Sequence, residues 1–555
     1  MKQTVYLFIF LCVVRFSGIS QTFQWAKSMG GLGYDGAKGL AVDVSGNLYT
    51  IGVFENEANF DPGNTNFSIT STGLTHFISK HDPMGNFLWT KYLVDVVMSD
   101  ILIDPNGRVV ICGYYTNNAD LDTGPGVFNI PTSSGSSCFV LKLDSNGNFI
   151  WAKSFSDGSV TPYDMATDNS SNLYFCGLYY SASVPPDFDP GIGTYNLSGS
   201  GSYILKLDSS GNFILAKSLG NIVTSSLAVD PLQNIVTTGY FTGTNDFDPG
   251  IGTFTLATTG PSQPSFHRDI FISKLDQNGN FVWAKKPSCF YGDQANSIAT
   301  DGSGNVYITG YFNIGGNTGF DIDLDYPAIG QHTLSSVSTW ADSFVAKYDA
   351  FGNAVWGKNL GSSGSFDDGY ALALDPSENI YVLGKFSGSL GFDLVFVLKM
   401  NSSGSILFFG DIGVSFEMPY HCLAVDYSQQ IYIAGSCGST SDLDPETGVV
   451  YANNAGGLDA FVLKLNTPFV GVKEKTSEKE ILDIYPNPNN GSFTIKSEME
   501  LYLNLTNSFG QIVKAVELNR ANNYEFKTEI LSSGLYFLSG VGKYQSVKQK
   551  IVVTK

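Results

Sequence analysis

Positive charge and reactive side chains are scarce in these 555 residues. Lysine and arginine number 31 against 51 aspartates and glutamates, a formal charge of −20. That balance excludes nucleic acid as a partner, because phosphate binding needs clustered cations. The five histidines (His76, His81, His267, His332 and His421) make no HExxH and share no common sequence position, which removes the usual zinc-hydrolase pattern. Cysteine is sparse: beyond Cys12 there are Cys112, Cys138, Cys176, Cys289, Cys422 and Cys437, spaced like no metal or redox motif. No glycine-rich stretch carries the lysine of a phosphate loop, and no GxSxG elbow precedes a helix. Long apolar runs are missing as well. The run at residues 5–14 is too short to cross a bilayer, and no other segment is long enough. What is abundant is glycine, at 61 residues, with 40 phenylalanines and 29 tyrosines. That mixture suits a turn-rich β protein with ample core.

The dominant feature is a seven-fold internal repeat. Starting at Asp43, Asp104, Asp168, Asp230, Asp301, Asp375 and Asp426, the chain reads DVSGNLYTIG, DPNGRVVICG, DNSSNLYFCG, DPLQNIVTTG, DGSGNVYITG, DPSENIYVLG and DYSQQIYIAG. A glycine closes each copy: Gly52, Gly113, Gly177, Gly239, Gly310, Gly384 and Gly435. Each copy holds four strand signals. The first ends in the aspartate, a short turn leads to the second, and a long variable loop leads to the third. A tight turn of the DPMGN kind then leads to the fourth, since Asp-x-x-Gly-Asn tolerates the positive φ of a hairpin. Seven residues beyond the first residue of that turn stand Trp89, Trp151, Leu215, Trp283, Trp356 and Phe408, read as packing between neighbouring sheets.

Four strands per unit match one blade of a propeller. Alanine two residues before the key aspartate in six of seven copies marks the first strand as the crowded innermost one. The chain also starts with an orphan fourth strand, FQWAK from Phe23, and the last copy stops at its third, FVLKL from Phe461. Pairing residues 23–27 with 461–465 closes the ring and removes two sheet edges. The fold class is therefore all-β, a seven-bladed β-propeller over residues 21–467. Residues 1–20 read as a signal peptide, with Lys2 before the apolar run and small residues Gly18 and Ser20 ahead of the cut. Residues 468–480 are polar and charged, as in a linker. From 481 to 555, alternating segments broken by Pro-Asn, Asn-Gly and Phe-Gly read as a compact β-sandwich.

The phrases DxxGNxYxxG, FxxKLDxxGNFxWAK and DFDPG resemble the β-propeller repeat family of exported bacterial proteins, over about residues 22–467. The C-terminal pieces YPNPNNG from Tyr485, NSFGQ from Asn507, GLYFL from Gly534 and the final KIVVTK resemble the type A sorting domain of the Bacteroidetes type IX secretion system. That second resemblance implies recognition by the type IX machinery, outer-membrane translocation and removal of the domain. It places the protein outside the cell or on its surface, with no membrane span in the mature chain.

Function concentrates on long, variable loops, so a ligand is expected on the face carrying the second-to-third and fourth-to-first loops. The DxDPG loops are assigned to that face, and two readings of them stand. The pairs Asp187/Asp189, Asp246/Asp248 and Asp442/Asp444 offer carboxylates to calcium as a cofactor. Equally, Asp-Pro-Gly is a turn in which the carboxylate caps backbone amides. Cys112 and Cys176 share one strand position and read as small buried apolar groups. Cys422 and Cys437 flank one hairpin, where a disulfide and two separate thiols are both open. No catalytic residue is assigned. The reading is a secreted or cell-surface binding or adhesion module for a glycan or protein ligand. The alternative is a carbohydrate-active glycosidase or lyase working on the same face.

Overall fold

The computed structural model describes residues 22–466, except 62–66, 116, 131–135, 156–158, 182–184, 259–267, 289, 315–320, 326–331, 338–339, 363–365, 388–392, 413–421, 439–440, 445–449 and 452–455. It also describes residues 482–553, except 486–491, 498–500, 508–511, 529–530, 532–533 and 543–545. The signal peptide and linker expectations lie outside these residues. The chain divides into two compact units, Met1–Phe469 and Val470–Lys555.

The first unit is a seven-bladed propeller of four-stranded antiparallel sheets. Blades one to six span residues 36–93, 96–155, 159–218, 222–285, 292–359 and 368–412. Blade seven takes three strands from Leu423–Val425, Ile431–Cys437 and Asp459–Asn466, and its fourth from the N-terminal strand Thr22–Gly31. The register is Phe23 to Leu465, Trp25 to Lys464, Ala26 to Leu463 and Lys27 to Val462, with a bulge at Gln24. The ring therefore closes through the two segments that the half-repeats single out. The first strands of successive blades pack on one another around the axis, which is why alanine recurs there.

Local chemistry explains the repeated phrase. In blade three, Asp168 Oδ1 accepts the amides of Ser170 and Asn172, both at 2.9 Å. Its Oδ2 accepts from Asn172 Nδ2 at 2.8 Å and Tyr174 Oη at 3.0 Å. The aspartate, asparagine and tyrosine thus lock the first hairpin as one polar unit. The closing glycine has a different cause. A bulge in the first strand brings the carbonyl of Val97 so close that a Cβ on Gly113 would lie 2.0 Å from it. Any side chain there would push the two strands apart.

Apolar clusters fill the interfaces between neighbouring blades. One joins Tyr49 and Ile51 of blade one to Val109, Ile111 and Phe139 of blade two. Another joins Tyr432, Ala434 and Val462 of blade seven to Leu48 and Phe77 of blade one, so the seam is packed like the other joints. A polar latch repeats beside them. Lys80 Nζ and Trp89 Nε1 of blade one both donate to the Ser145 carbonyl in the tight turn of blade two, at 2.8 and 3.4 Å. Lys274 and Trp283 reach Ala350 in the same way, and Lys347 and Trp356 reach Ser402. At the seam, Lys464 and Trp25 donate to Pro83 at 3.0 and 3.1 Å. The tryptophans are inter-blade packing, as the sequence indicates, and they also lie flat against the turn glycine of the next blade.

The second unit is a β-sandwich. One sheet contains Leu482–Tyr485, Thr494–Ser497 and Glu525–Lys527. The other contains Ile512–Leu518, Leu501–Asn507, Gly534–Gly542 and Ser546–Val553. Phe493, Ile495, Leu503, Leu505, Val516 and Leu538 are buried together between them.

Candidate functional site

The DxD loops are not where the sequence assignment put them. In blades two, three and four the loop forms a small hairpin that folds down the outer edge of its blade, away from the long-loop face. Tyr195 in the loop of Asp187 packs on Phe213, the first residue of the fourth strand, with ring centroids 4.8 Å apart. Phe254 on Phe281 and Phe128 on Phe149 repeat this contact at 4.9 and 5.2 Å. The physical reason is the outermost strand, an exposed edge whose covering buries apolar surface and shields unpaired backbone. The middle residue of the DxD triplet drives the fold: Phe188 and Phe247 are buried in their blades, Phe188 against Tyr203 and Phe247 against Phe271.

The aspartates either side cap the backbone. Asp187 Oδ1 accepts the amides of Asp189 and Tyr195 at 3.0 and 2.8 Å, and Asp189 Oδ1 accepts that of Gly191 at 2.8 Å. Asp246 and Asp248 repeat the pattern, and Asp442 accepts from Asp444 and Val450. Among the described residues there is no cluster of three or more His, Cys, Asp or Glu side chains placed to hold a metal ion. A hard cation asks for six to eight oxygens, and these loops bring two carboxylates apiece, with Asp187, Asp189, Asp246, Asp248 and Asp442 each giving an oxygen to backbone amides.

The described cysteines are buried. Cys112 and Cys176 are fully buried, and burial pushes their thiols well above the ordinary range. In blade seven the Ala434 amide donates to the Cys422 carbonyl at 3.1 Å. The register therefore sets Cys422 opposite Ala434, three residues short of Cys437, and does not bring the two cysteines opposite each other.

On the long-loop face, near the axis, a different group of residues converges from three blades. Arg268 precedes the third strand of blade four, Asp269–Leu275. Its guanidinium lies 4.6 Å from the ring centre of Tyr240 in blade four and 5.5 Å from that of Tyr311 in blade five. It also donates to the Tyr311 hydroxyl. That hydroxyl donates in turn to Gln294 Oε1 at 3.1 Å, and Gln294 Nε2 to Asn296 Oδ1 at 2.7 Å. Asn296 Nδ2 donates to Asp368 Oδ1 in blade six, also at 2.7 Å. Gln294, Asn296 and Asp368 sit on first strands, so the chain of bonds runs along the rim of the axis.

Asp368 is 4% exposed. Burial holds its carboxyl up at about 8, against the bonds from Asn296 and Gly369 and the charges of Lys385 and Arg268, which act the other way. Half-buried Tyr163 and Tyr114 extend the group towards blades three and two. Below the rim, first-strand side chains tie blade to blade: Asp100 accepts the Met165 amide at 3.0 Å, and Asp164 the Leu227 amide at 2.7 Å. A depression of about 450 Å³ lies on the opposite, short-turn face, lined by Asp301, Asp375, Glu378, Asp426 and Tyr427 among others. Three of those carboxylates are the key turn aspartates, already engaged by their own hairpins.

The Asp368 environment carries a pH prediction. Its folded-state value, about 8, stands above the ordinary 3.8. The unfolded chain therefore releases this proton first as pH rises, and stability falls between those two values. Asp368→Asn keeps the oxygen that accepts from Asn296 and removes the penalty. The variant is expected to melt higher than the wild type at about pH 8.5 and to match it closely near pH 4. An equal shift at both pH values would show that Asp368 does not titrate in this way.

Two family models match parts of this chain. Residues 483–554 match the family of secretion system C-terminal sorting domains. Residues 290–315, in blade five, match the β-propeller repeat. Over 439 residues the chain is 25% identical to an uncharacterised WD repeat-containing protein of Acanthamoeba polyphaga mimivirus, covering 65% of this chain and 31% of that one. The chain thus spans about a third of the length of that relative. Similar solved structures include a quinohemoprotein alcohol dehydrogenase of Pseudomonas putida HK5, at 10% identity, 84% and 79% coverage and a TM-score of 0.36. The Dos1 propeller is similar at 8% identity, 80% and 94% coverage and a TM-score of 0.38. An ulvan lyase is similar at 11% identity, 79% and 97% coverage and a TM-score of 0.37.

Proposed function

We propose that this chain, a propeller protein with a type IX sorting domain, is a binding module that works outside the cell or on its surface. In this reading the N-terminal apolar run carries it across the inner membrane, and the C-terminal unit carries it across the outer one. The ligand, a glycan or a protein, meets the long-loop face at the axis. The observation that carries this is Arg268 held between Tyr240 and Tyr311, on a hydrogen-bonded base of Gln294, Asn296 and Asp368. Residues fixed by the ends of rigid strands, with aromatic faces and one cation, form a surface pre-organised for recognition.

The carbohydrate-active alternative draws on Asp368, a carboxylate with a raised value in an aromatic, cationic setting. Glycoside hydrolysis calls for two carboxylates flanking the scissile bond. Asp368 is buried beneath the rim, bonded to Asn296, so binding is the better-supported function. A glycan array on the wild type and on Arg268→Gln tests it. Binding is expected to weaken in the variant, and an unchanged profile would remove the site.

Calcium dependence enters only through the DxD loops. Calcium held by the pairs Asp187/Asp189, Asp246/Asp248 and Asp442/Asp444 is expected to raise the melting temperature and chelator to lower it, and no shift would leave the carboxylates as amide caps alone. The shift follows because a ligand of the folded state stabilises it by mass action.

A further inference from the structure

We infer that the axis mouth on the long-loop face takes an oxyanion, and that its ligand is an acidic saccharide. This rests on the binding reading above and names the ligand class of the same site.

The argument begins with an electrostatic exception. The chain carries a net charge of −20, a field that repels anions from most of its surface. At the rim, Arg268 and Lys385 both act on Asp368 as positive charges. Asp368 does not cancel the Arg268 charge. Asp368 is bonded to Asn296 and keeps its proton into the neutral range. Among the described residues no carboxylate forms an ion pair with Arg268, whereas Asp269, its neighbour in sequence, is paired with Lys286 at 3.2 Å.

Geometry then sets the class of anion. The guanidinium lies against the Tyr240 and Tyr311 rings and spends one N–H on the Tyr311 hydroxyl, which leaves further donors of its planar fork for a ligand. A planar fork of N–H groups suits a carboxylate or sulfate oxygen pair, which a lysine ammonium would bind only as a point charge. Beside it, Tyr114, Tyr163 and Tyr240 are half-buried and line blades two to four. Each offers an apolar ring and a polar tip, a surface matched to sugar rings that present C–H faces and hydroxyls together. The two features sit on one rim, so an acidic sugar places its charged group on Arg268 and its neighbouring rings along the tyrosines.

The test is calorimetric titration of the full-length protein with four probes: a galacturonate oligomer, a sulfated oligosaccharide, a neutral glucan oligomer and inorganic sulfate. Either acidic oligosaccharide is expected to bind, the neutral glucan not to, and inorganic sulfate to bind more weakly because it lacks the rings. Arg268→Gln is expected to lower the affinity about tenfold or more, the size of a lost charge-assisted bond. Lys385→Gln should lower it less, and it provides a second arm if the first variant fails to melt cooperatively. Inorganic sulfate binding as tightly as the acidic oligosaccharides overturns the saccharide assignment. A neutral glucan that binds equally well but still needs Arg268 overturns the oxyanion assignment and leaves the long-loop-face reading standing. Acidic saccharide binding that is indifferent to both substitutions overturns both.

Discussion

Removing residues 22–28 should lower the melting temperature more than any single substitution elsewhere in the ring. Those residues are the fourth strand of blade seven, paired from Thr22–Asn466 to Ser28–Phe461. Their loss removes the strand that completes blade seven by hydrogen bonding, leaving the Asp459–Asn466 strand as an open edge. It removes Trp25 from the apolar cluster that joins blades seven and one, together with its bond to the Pro83 carbonyl. A point variant isolates part of this effect. Trp25→Ala is expected to cost about 3 kcal/mol, in the range for deleting an aromatic side chain from a packed interface. Lys464→Met, which loses the companion bond to Pro83, should cost about 1 kcal/mol. Thermal melts of the three variants check the order. A deletion that melts like the wild type would mean that this strand does not hold the ring closed.

Truncation after Phe469 is the second large effect, and it falls on location rather than stability. The propeller's inter-blade clusters draw on residues up to Leu465, and the C-terminal sandwich has its own buried core. The truncated propeller should therefore fold and melt as a cooperative unit. Without residues 483–554, the match to the sorting domain, it should accumulate in the periplasm of a host with type IX secretion. Cell fractionation with antibody detection gives the result directly. Normal amounts outside the cell would show that export does not depend on that unit.

Blade architecture was legible in the sequence because its determinants are local. The aspartate that accepts two amides acts within a few residues and recurs seven times, and the glycine forced by a bulge lies within one hairpin and is seen in the first six blades. The seam was legible from strand phase alone. The latch was not: Lys80 and Lys464 look like ordinary strand lysines, and only the ring brings each to a carbonyl of the next blade. Placement of the DxD loops was misread for a related reason. Loop length showed that they vary, but the partners of Phe188 and Tyr195 on the blade edge are fixed by tertiary packing. A clue lay in the pattern itself, since an apolar residue between two aspartates is the alternation of a half-buried strand.

The Arg268 group was invisible for the opposite reason, since it is where the repeat breaks. The residue after the closing glycine is Val53, Tyr114, Leu178, Tyr240, Tyr311, Lys385 and Ser436 in the seven copies. Three tyrosines and a lysine at one repeat position, where the other copies carry Val53, Leu178 and Ser436, were the available signal. Reading them as one site required knowing that blades two to six carry that position to one end of the axis.

The most direct test of the proposed function is oxidative footprinting of the protein with and without its tightest array ligand. The account predicts protection of Tyr114, Tyr163 and Tyr240 on the long-loop face, with Tyr427 beside the short-turn depression labelled equally in both states. Protection of Tyr427, with the long-loop tyrosines unchanged, would contradict it.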